Sequence, residues 1–413
     1  MIRNFMKYYK PYTGILISVV IGTLLMAGFD LIFPMVVRNI IDKILPARDE
    51  IGLYKSAGLL LVLYLINFAV SYGVQYYGHI MSASIEHDMR NDLFAHIEKQ
   101  PFQYFDNEKT GQLLSRITSD VIEVSELAFR GPNDVLLCGI IMSGTIIAML
   151  VMNWQLALLV GGLLIAKSIH TVKINTQMKK AFRKNRAKTG ELSARAEESL
   201  SGIRLSKAFA MENFEMDRFR EKSEELRNTR FNSYKILAYF SGSINFFTNF
   251  INVVVLLAGS YMIAKDLLSL PDFVAFLLYV NIFMRPVFRL TILTEMYQRG
   301  MAGFARFQEI MHIEPTIKDP THPVEIMDAR GEICFDNMSF GYNDKRMILN
   351  HLSFNIHAGE TIAFVGETGA GKSTLVNLLL RFYEPTEGKI IFDVHDIKDY
   401  RQQDLRKQIG IVQ

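Results

Sequence analysis

Hydrophobic positions along the chain gather into six runs, separated by polar stretches of two very different lengths. Residues 14–36 are almost free of charge, with Asp30 the exception, and further runs cover about 57–85, 133–152, 154–172, 236–264 and 273–294. A helix crosses the hydrocarbon core with about 20 apolar residues, so each run reads as a transmembrane span. Pro46 with Arg48-Asp49-Glu50, and Lys265-Asp266 through Pro271-Asp272, mark short loops. Asn153-Trp154-Gln155 leaves room only for a tight turn, with Trp154 at interfacial depth. In contrast, Glu86 to Lys99, residues 173–235 and Glu295 to Ile313 keep a helical pattern while turning charged. A helix that stays helical as it turns polar is entering water. The proline-free stretch 173–235 therefore reads as a solvated or coiled-coil extension, not a globular domain.

Lysine and arginine set the orientation. They cluster before the first span (Arg3, Lys7, Lys10), between spans two and three, between four and five, and after six. By the positive-inside rule the N-terminus and everything after span six are cytoplasmic, residues 48 and 268 lie outside, and residues 108 and 215 lie inside. The amphipathic first ten residues read as an elbow along the membrane surface. No small-residue cleavage site follows a short apolar core, so the first run is an uncleaved span. A water-soluble helical bundle is the competing reading, and runs of 20 residues with little or no charge argue against it. Ionisable and polar groups within the spans are Asp30, Asn67, Gln75, Asn245, Asn249, Asn252, Arg285 and Arg289, near Pro286. Each either bonds helix to helix or faces a cavity.

At Glu314-Pro315, and again at Pro320 and Pro323, the helical pattern breaks. The division expected is a membrane domain over 1–313, a linker over 314–330 and an α/β domain from 331 to 413. Alternating texture predicts strands at Glu332–Phe340, Leu352–Ile356, Lys389–Phe392 and Ile409–Val412. The apolar Ile362-Ala363-Phe364-Val365 predicts a buried strand feeding Gly366-Glu367-Thr368-Gly369-Ala370-Gly371-Lys372-Ser373-Thr374, then an apolar helix from Leu375. That loop matches G-x-x-x-x-G-K-[ST] in the required strand–loop–helix context. Glycines let successive N–H groups converge on an anion, and the helix N-terminus adds its positive end. Lys372 reaches the β- and γ-phosphates of a nucleotide, and the Ser373 hydroxyl ligates Mg²⁺. A nucleotide with Mg²⁺ is therefore the expected ligand.

Composition changes little in this picture. Of 413 residues 21% are charged and the net charge is +3, which gives no case for nucleic acid as a partner. The two cysteines, Cys138 and Cys334, lie in dissimilar segments and read as small apolar side chains, not a disulfide or a metal site. One P-loop helix and a few strands in about eighty residues do not close a nucleotide-hydrolysing core, so the domain is expected to be incomplete.

Six spans with long cytoplasmic extensions, fused to a P-loop domain, resemble a half-transporter of the ATP-binding cassette (ABC) exporter family, along the whole chain. Phe340-Gly341-Tyr342 precedes the P-loop where the family places an aromatic residue that stacks on adenine, although Tyr342 also fits as an ordinary strand aromatic. Gly388-Lys389-Ile390-Ile391-Phe392-Asp393 followed by Asp396-Ile397 resembles the family's strand pair after the P-loop helix, with Val394 in place of a usual glycine. Gln413 falls at the family's Q-loop, whose glutamine touches Mg²⁺ and the attacking water; as a last residue it also fits an exposed polar group. Gln100 to Asp106 with Thr110 to Arg116, and Glu198 to Arg204, resemble coupling loops. Asp393 imitates a Walker B carboxylate but sits too close to the P-loop, so it reads as a turn residue. Leu200-Ser201-Gly202 imitates the signature motif from the wrong domain.

The resemblance implies an ATP-driven export subunit in the cell membrane that pairs with a second half-transporter chain, identical or different. Its cargo would be a drug, lipid or peptide. Tyr342 and Gly366 to Thr374 would hold ATP, Ser373 and Gln413 the metal, and Lys372 and Gln413 would take part in catalysis. The alternative is a subunit that binds ATP, hydrolyses it poorly and regulates its partner. A membrane-tethered P-loop protease or motor is disfavoured by six spans, and an importer by the fusion of both parts in one chain.

Overall fold

The computed structural model of the protein describes residues 2–342 and 347–412. Among them, six helices are long and apolar enough to cross a membrane: Met6–Ile44, Glu50–Ile97, Thr110–Met152, Trp154–Ser201, Glu212–Ala264 and Leu270–Met311. Contacts divide the chain into two compact units. One comprises Gly14–Gly78 and Arg130–Glu295, the other Met1–Thr13, His79–Phe129 and Met296–Gln413. The elements named below are α1 (Thr13–Asn39), α2 (Glu50–Ile97), α3 (Phe102–Asn107), α4 (Val121–Met152), α5 (Trp154–Ser201), α6 (Ile203–Ala208), α7 (Glu212–Ala264) and α8 (Leu270–Met311).

In the first unit the predicted turns fall in place. α4 ends at Met152, α5 begins at Trp154, and the Asn153 carboxamide oxygen caps α5 by accepting the Leu156 N–H at 2.9 Å. Ser269 and Asp272 bond each other reciprocally at the start of α8, the hydroxyl to the carboxylate at 2.6 Å and the Asp272 N–H to the hydroxyl at 3.2 Å. The core joins Met149, Leu156, Val160 and Leu164 to Ile251 and Val255 of α7 and Phe273, Phe276, Tyr279, Val280 and Phe283 of α8. Gly259 lets α7 come close to the Phe273 ring, which a Cβ there would strike. Only 6% of the most apolar window of α2 is buried, with Leu61, Leu65 and Phe68 all exposed. A surface of that kind suits lipid or a partner helix, not water. The charged stretch 173–235 forms an antiparallel pair, α5 running out and α7 back around the short α6. Lys188 bridges to Glu225 at 2.9 Å and Arg195 pairs with Glu215.

The second unit gathers the polar ends of the helices and the α/β part. The N-terminal elbow is tied to protein along one face. Tyr9 is buried and donates to the Ala128 carbonyl at 2.6 Å, while Tyr8 and Tyr12 donate to Asp92 at 2.9 Å and Asp88 at 2.8 Å. On α2, Met81, Ile85, Met89 and Leu93 are fully buried at a spacing of four, the stripe of a packed helix face. Arg306 of α8 holds Asp120 through two bonds of 2.6 Å, the bidentate geometry that guanidinium favours.

The sheet is antiparallel, in the order β2-β1-β3-β4, with β1 at Ile333–Phe340, β2 at Leu349–Ile356, β3 at Glu387–Phe392 and β4 at His395–Asp396. Ile333 lies opposite Ile356 on one side and Phe392 on the other. Phe335, Met338, Ile390 and Phe392 bury against Leu375 and Leu378 of α9 (Lys372–Leu379) and Leu405 of α10 (Gln402–Lys407). Asp393 is the turn residue expected. It adopts φ 56° and its carboxylate accepts the N–H groups of Arg330, Gly331 and Glu332 at 2.9–3.0 Å.

Two expected strands are absent among the described residues. Ile362–Val365 leads into the P-loop without pairing to any strand, and Val365 is 94% exposed. Ile409–Val412 is likewise unpaired, with Val412 99% exposed. The physical reason is shared. Both are apolar runs of the kind that sit inside a parallel sheet, where each strand needs neighbours on both edges. The only sheet among the described residues is antiparallel and its order does not include them.

Candidate nucleotide-binding site

The run that feeds the P-loop is unpaired but lies beside β2, with Phe364 edge-on to Phe354 at 5.9 Å, and the loop ends on α9. Glu367 to Ala370 form a turn closed by the Ala370 N–H on the Glu367 carbonyl at 3.1 Å. Gly369 and Gly371 adopt φ 89° and 91°, which residues with a side chain take up only at a cost. Gly371 has a second reason to be glycine, because a Cβ there would lie 2.7 Å from Leu349 Cδ2. Gly366, Glu367, Thr368, Gly369 and Ala370 are exposed, Ser373 is exposed on the first turn of α9, and Thr374 is buried beneath it. The Lys372 ammonium folds back to donate to the carbonyls of Gly366 at 2.7 Å and Glu367 at 2.8 Å. A phosphate is a stronger partner for it than these two neutral acceptors. Free N–H groups at a helix start, a lysine over the loop and an adjacent hydroxyl fit a nucleoside triphosphate. If Mg²⁺ accompanies it, Ser373 is the described residue that would offer an oxygen, with phosphate oxygens and water beside it. Gln413 lies outside the described residues.

Tyr342 stands next to the P-loop helix, its hydroxyl 3.2 Å from the Thr374 hydroxyl. Its ring meets Phe340 and Tyr383 edge-on, at centroid separations of 5.1 and 5.0 Å. Tyr383 follows α9 and in turn donates its hydroxyl to Asp106 on α3. Burial first, and then that carboxylate, push the Tyr383 hydroxyl well above the usual phenol range, so it remains a proton donor. Beside it the rings of Phe102 and Phe382 stack at 4.4 Å, and the Arg406 guanidinium covers the Phe382 ring at 4.9 Å. Arg406 is itself fixed by the carbonyls of Leu380 and Arg381, at 2.9 and 3.0 Å. α3 and the strap at Pro315–Asp319 border a groove of about 1080 Å³ against Phe382, Gln402 and Arg406.

The first expected coupling loop thus does touch the nucleotide-binding part. Two of the residues that make the contact, Phe102 and Asp106, lie within the expected stretch Gln100 to Asp106. Phe105 is 40% exposed and Leu113 is buried, whereas Phe102, Asp106, Phe382 and Tyr383 form the junction. Phe382 and Tyr383 lie outside every expected loop, and the only local sign of them is that Arg381-Phe382-Tyr383 places two aromatic rings directly after the P-loop helix. In the second expected loop, α6 exposes Ile203 and Leu205, with Phe209 just beyond.

The chain matches two family profiles, the ABC transporter transmembrane region over residues 16–287 and the ABC transporter domain over residues 349–413. It is 41% identical over 415 residues to the uncharacterized ABC transporter ATP-binding protein YwjA of Bacillus subtilis (strain 168), covering all of this chain and 72% of that protein. It is 32% identical over 375 residues to the ATP-dependent lipid A-core flippase of Syntrophus aciditrophicus (strain SB), covering 89% of this chain and 62% of that one. The putative multidrug export ATP-binding/permease protein YgaD of Bacillus subtilis (strain 168) is 28% identical over 423 residues, 99% of this chain and 72% of its own. With a phosphate cradle at the start of α9, six helices fit to span a bilayer and both profiles on one polypeptide, the chain belongs to the ABC transporter family, as a multi-pass membrane protein that carries its transmembrane region and ATP-binding domain together.

Proposed function

We propose that the chain is one half of an ATP-driven exporter of the cell membrane that works as a pair of such chains, with the N-terminus and the ATP-binding domain in the cytoplasm. Residues 1–313 serve as the membrane domain, 314–330 as the linker and 331–413 as the N-terminal part of the ATP-binding domain. Gly366 to Thr374 hold the phosphates, Tyr342 the adenine, and Ser373 with Gln413 the Mg²⁺. α3 passes the state of that site to the helices. The observation that carries this reading is the side-chain line from the P-loop helix to α3, through Thr374, Tyr342, Tyr383 and Asp106. Tyr342 must leave Thr374 to lie flat on a base, and Tyr383 then loses its edge-on neighbour. Bound ATP contributes differential affinity for the closed pair, which is what moves such an equilibrium. The cargo belongs to the drug, lipid or peptide classes, in keeping with the flippase and multidrug names among its relatives.

Nucleotide binding and phosphate release by purified residues 1–413 in detergent, measured side by side, test the reading. Mg-ATP should bind, and Lys372→Ala should weaken it. Hydrolysis should stay at background, because Asp393 and Asp396, the aspartates at the β3–β4 turn, are committed to the backbone. Asp393 accepts from Arg330, Gly331 and Glu332, and Asp396 accepts from the Lys398 N–H at 3.0 Å. ATP binding indifferent to Lys372→Ala would remove the proposal.

A further inference from the structure

In the unit of Gly14–Gly78 and Arg130–Glu295, charges that meet are paired, as Arg38 with Asp272 at 2.5 Å and Arg289 with Asp134 at 3.3 Å. Asp30 of α1 and Arg285 of α8 differ. They line one cavity of about 150 Å³, yet among the described residues neither enters an ion pair or a side-chain hydrogen bond. Asn67 of α2 adds a buried carboxamide oxygen with no donor, and Asn281 adds a second carboxamide. The remaining wall is apolar and includes the edge-to-face pair Phe33 and Tyr64, at 5.8 Å.

Position makes this arrangement costly as it stands. Asp30 lies within the apolar run 14–36, roughly 14 Å along the helix from its end at Asn39 at 1.5 Å per residue. Isolated charges at such depth are expensive, and they persist where they have a partner or a task. Here one negative and one positive group, with an unsatisfied acceptor nearby, face a shared space. A ligand that carries both an ammonium and an anion completes all three. Volume narrows the choice. At about 30 Å³ per water the cavity takes roughly five waters, well below the ~300–1,000 Å³ of pockets that enclose drug-sized molecules. It fits a headgroup, with any attached chains lying against the leucines and aromatic rings.

We propose that this cavity binds a zwitterionic headgroup, its ammonium on Asp30 and the Asn67 carboxamide oxygen, and its phosphate or carboxylate on Arg285. The further statement that the bound molecule is cargo rests on the exporter reading above; the binding itself does not.

The test uses the purified protein in detergent without nucleotide, so failure of ATP-driven transport and failure of this site are separate results. Native mass spectrometry follows titration with short-chain phosphatidylethanolamine, which has both charges, and with short-chain phosphatidylglycerol, which has only the anion. Phosphatidylethanolamine should bind about tenfold more tightly. Asp30→Asn should bring it down to the phosphatidylglycerol level while leaving phosphatidylglycerol unchanged, and Arg285→Gln should weaken both. Free phosphoethanolamine that competes assigns the ligand to a soluble source. Failure to compete assigns it to the bilayer, and either result supports the headgroup chemistry. If Asp30 and Arg285 serve only each other, both variants lower the thermal midpoint and leave the lipid ranking intact, which overturns the proposal. Should either variant fail to fold, Asn281→Cys on a background lacking Cys138 and Cys334 gives a second reading. Phosphatidylethanolamine should slow its alkylation at about tenfold lower concentration than phosphatidylglycerol does, and equal protection by both lipids at one concentration overturns the site.

Discussion

The contact between Tyr383 and Asp106 can be tested by a double-mutant cycle, Tyr383→Phe against Asp106→Ala. Tyr383→Phe removes one hydroxyl and keeps the ring that meets Tyr342. A hydrogen bond to a charged acceptor is worth about 1.5–3 kcal/mol net, and exposure of Asp106 to solvent reduces this to about 1 kcal/mol. Holding α3 closed is then weaker by that amount, and amide exchange in residues 100–110 should quicken about fivefold. The Glu108 N–H, bonded to the Tyr104 carbonyl at 3.1 Å, is the reporter, and peptides around Val160 and Ile251 are the unchanged control. Asp106→Ala should give a similar acceleration and the double variant no more than either alone, since the two remove one bond. Because the folded-state value of the Tyr383 hydroxyl is raised, its contribution is complete below the usual phenol range. It is lost only as pH rises through that raised value, so the effect should be flat across neutral pH. Additive effects of the two substitutions, or an acceleration that spreads equally to the control peptides, would refute the reasoning.

Other expectations follow from the same geometry. Phe102→Ala and Phe382→Ala should also be coupled, by about 0.5–1.5 kcal/mol for a stacked pair, read from the same exchange experiment. Lys372→Ala should weaken Mg-ATP binding by about 1.5–3 kcal/mol, the value of one charge-assisted contact, measured by titration of a fluorescent analogue. Gly371→Ala should weaken nucleotide binding by about tenfold or more, because a positive φ costs about 1–2 kcal/mol and its Cβ would meet Leu349; a variant that binds normally would show the loop to be adaptable. Leu268, expected outside, is buried, so single cysteines at 48 and at its exposed neighbour 267, on a background without Cys138 and Cys334, should react with an impermeant reagent in sealed cells, and those at 108 and 215 should not. Reaction at 108 or 215 would overturn the six-span orientation.

Local pattern carried most of the helical architecture because its information is local. Each span is long, and its ends are marked by residues that cap or turn, as Asn153 and Ser269 do. The antiparallel strands were legible for a related reason: β1 and β3 are short runs rich in apolar and β-branched residues that end at turn residues, Asp393 among them. Ile362–Val365 and Ile409–Val412 failed because an apolar run states a preference for burial and not what will bury it. A strand is made by its neighbours, and among the described residues these two have none.

The candidate site divides along the same line. The P-loop is a local device, in which glycine conformations, a helix start and one lysine act within nine residues. The junction with α3 is not. Phe102 and Phe382, or Asp106 and Tyr383, are separated by more than two hundred residues, and each is an ordinary side chain until the fold sets them together. A half-buried hydroxyl–carboxylate bond of about 1 kcal/mol contributes little to holding a protein of this size together. A contact of that strength can be broken and remade within the free energy available from nucleotide binding, whereas a deeply buried apolar seam could not. Its modest worth suits the opening joint proposed above, and the edge-on contact with Tyr342 puts that joint one ring away from the P-loop helix.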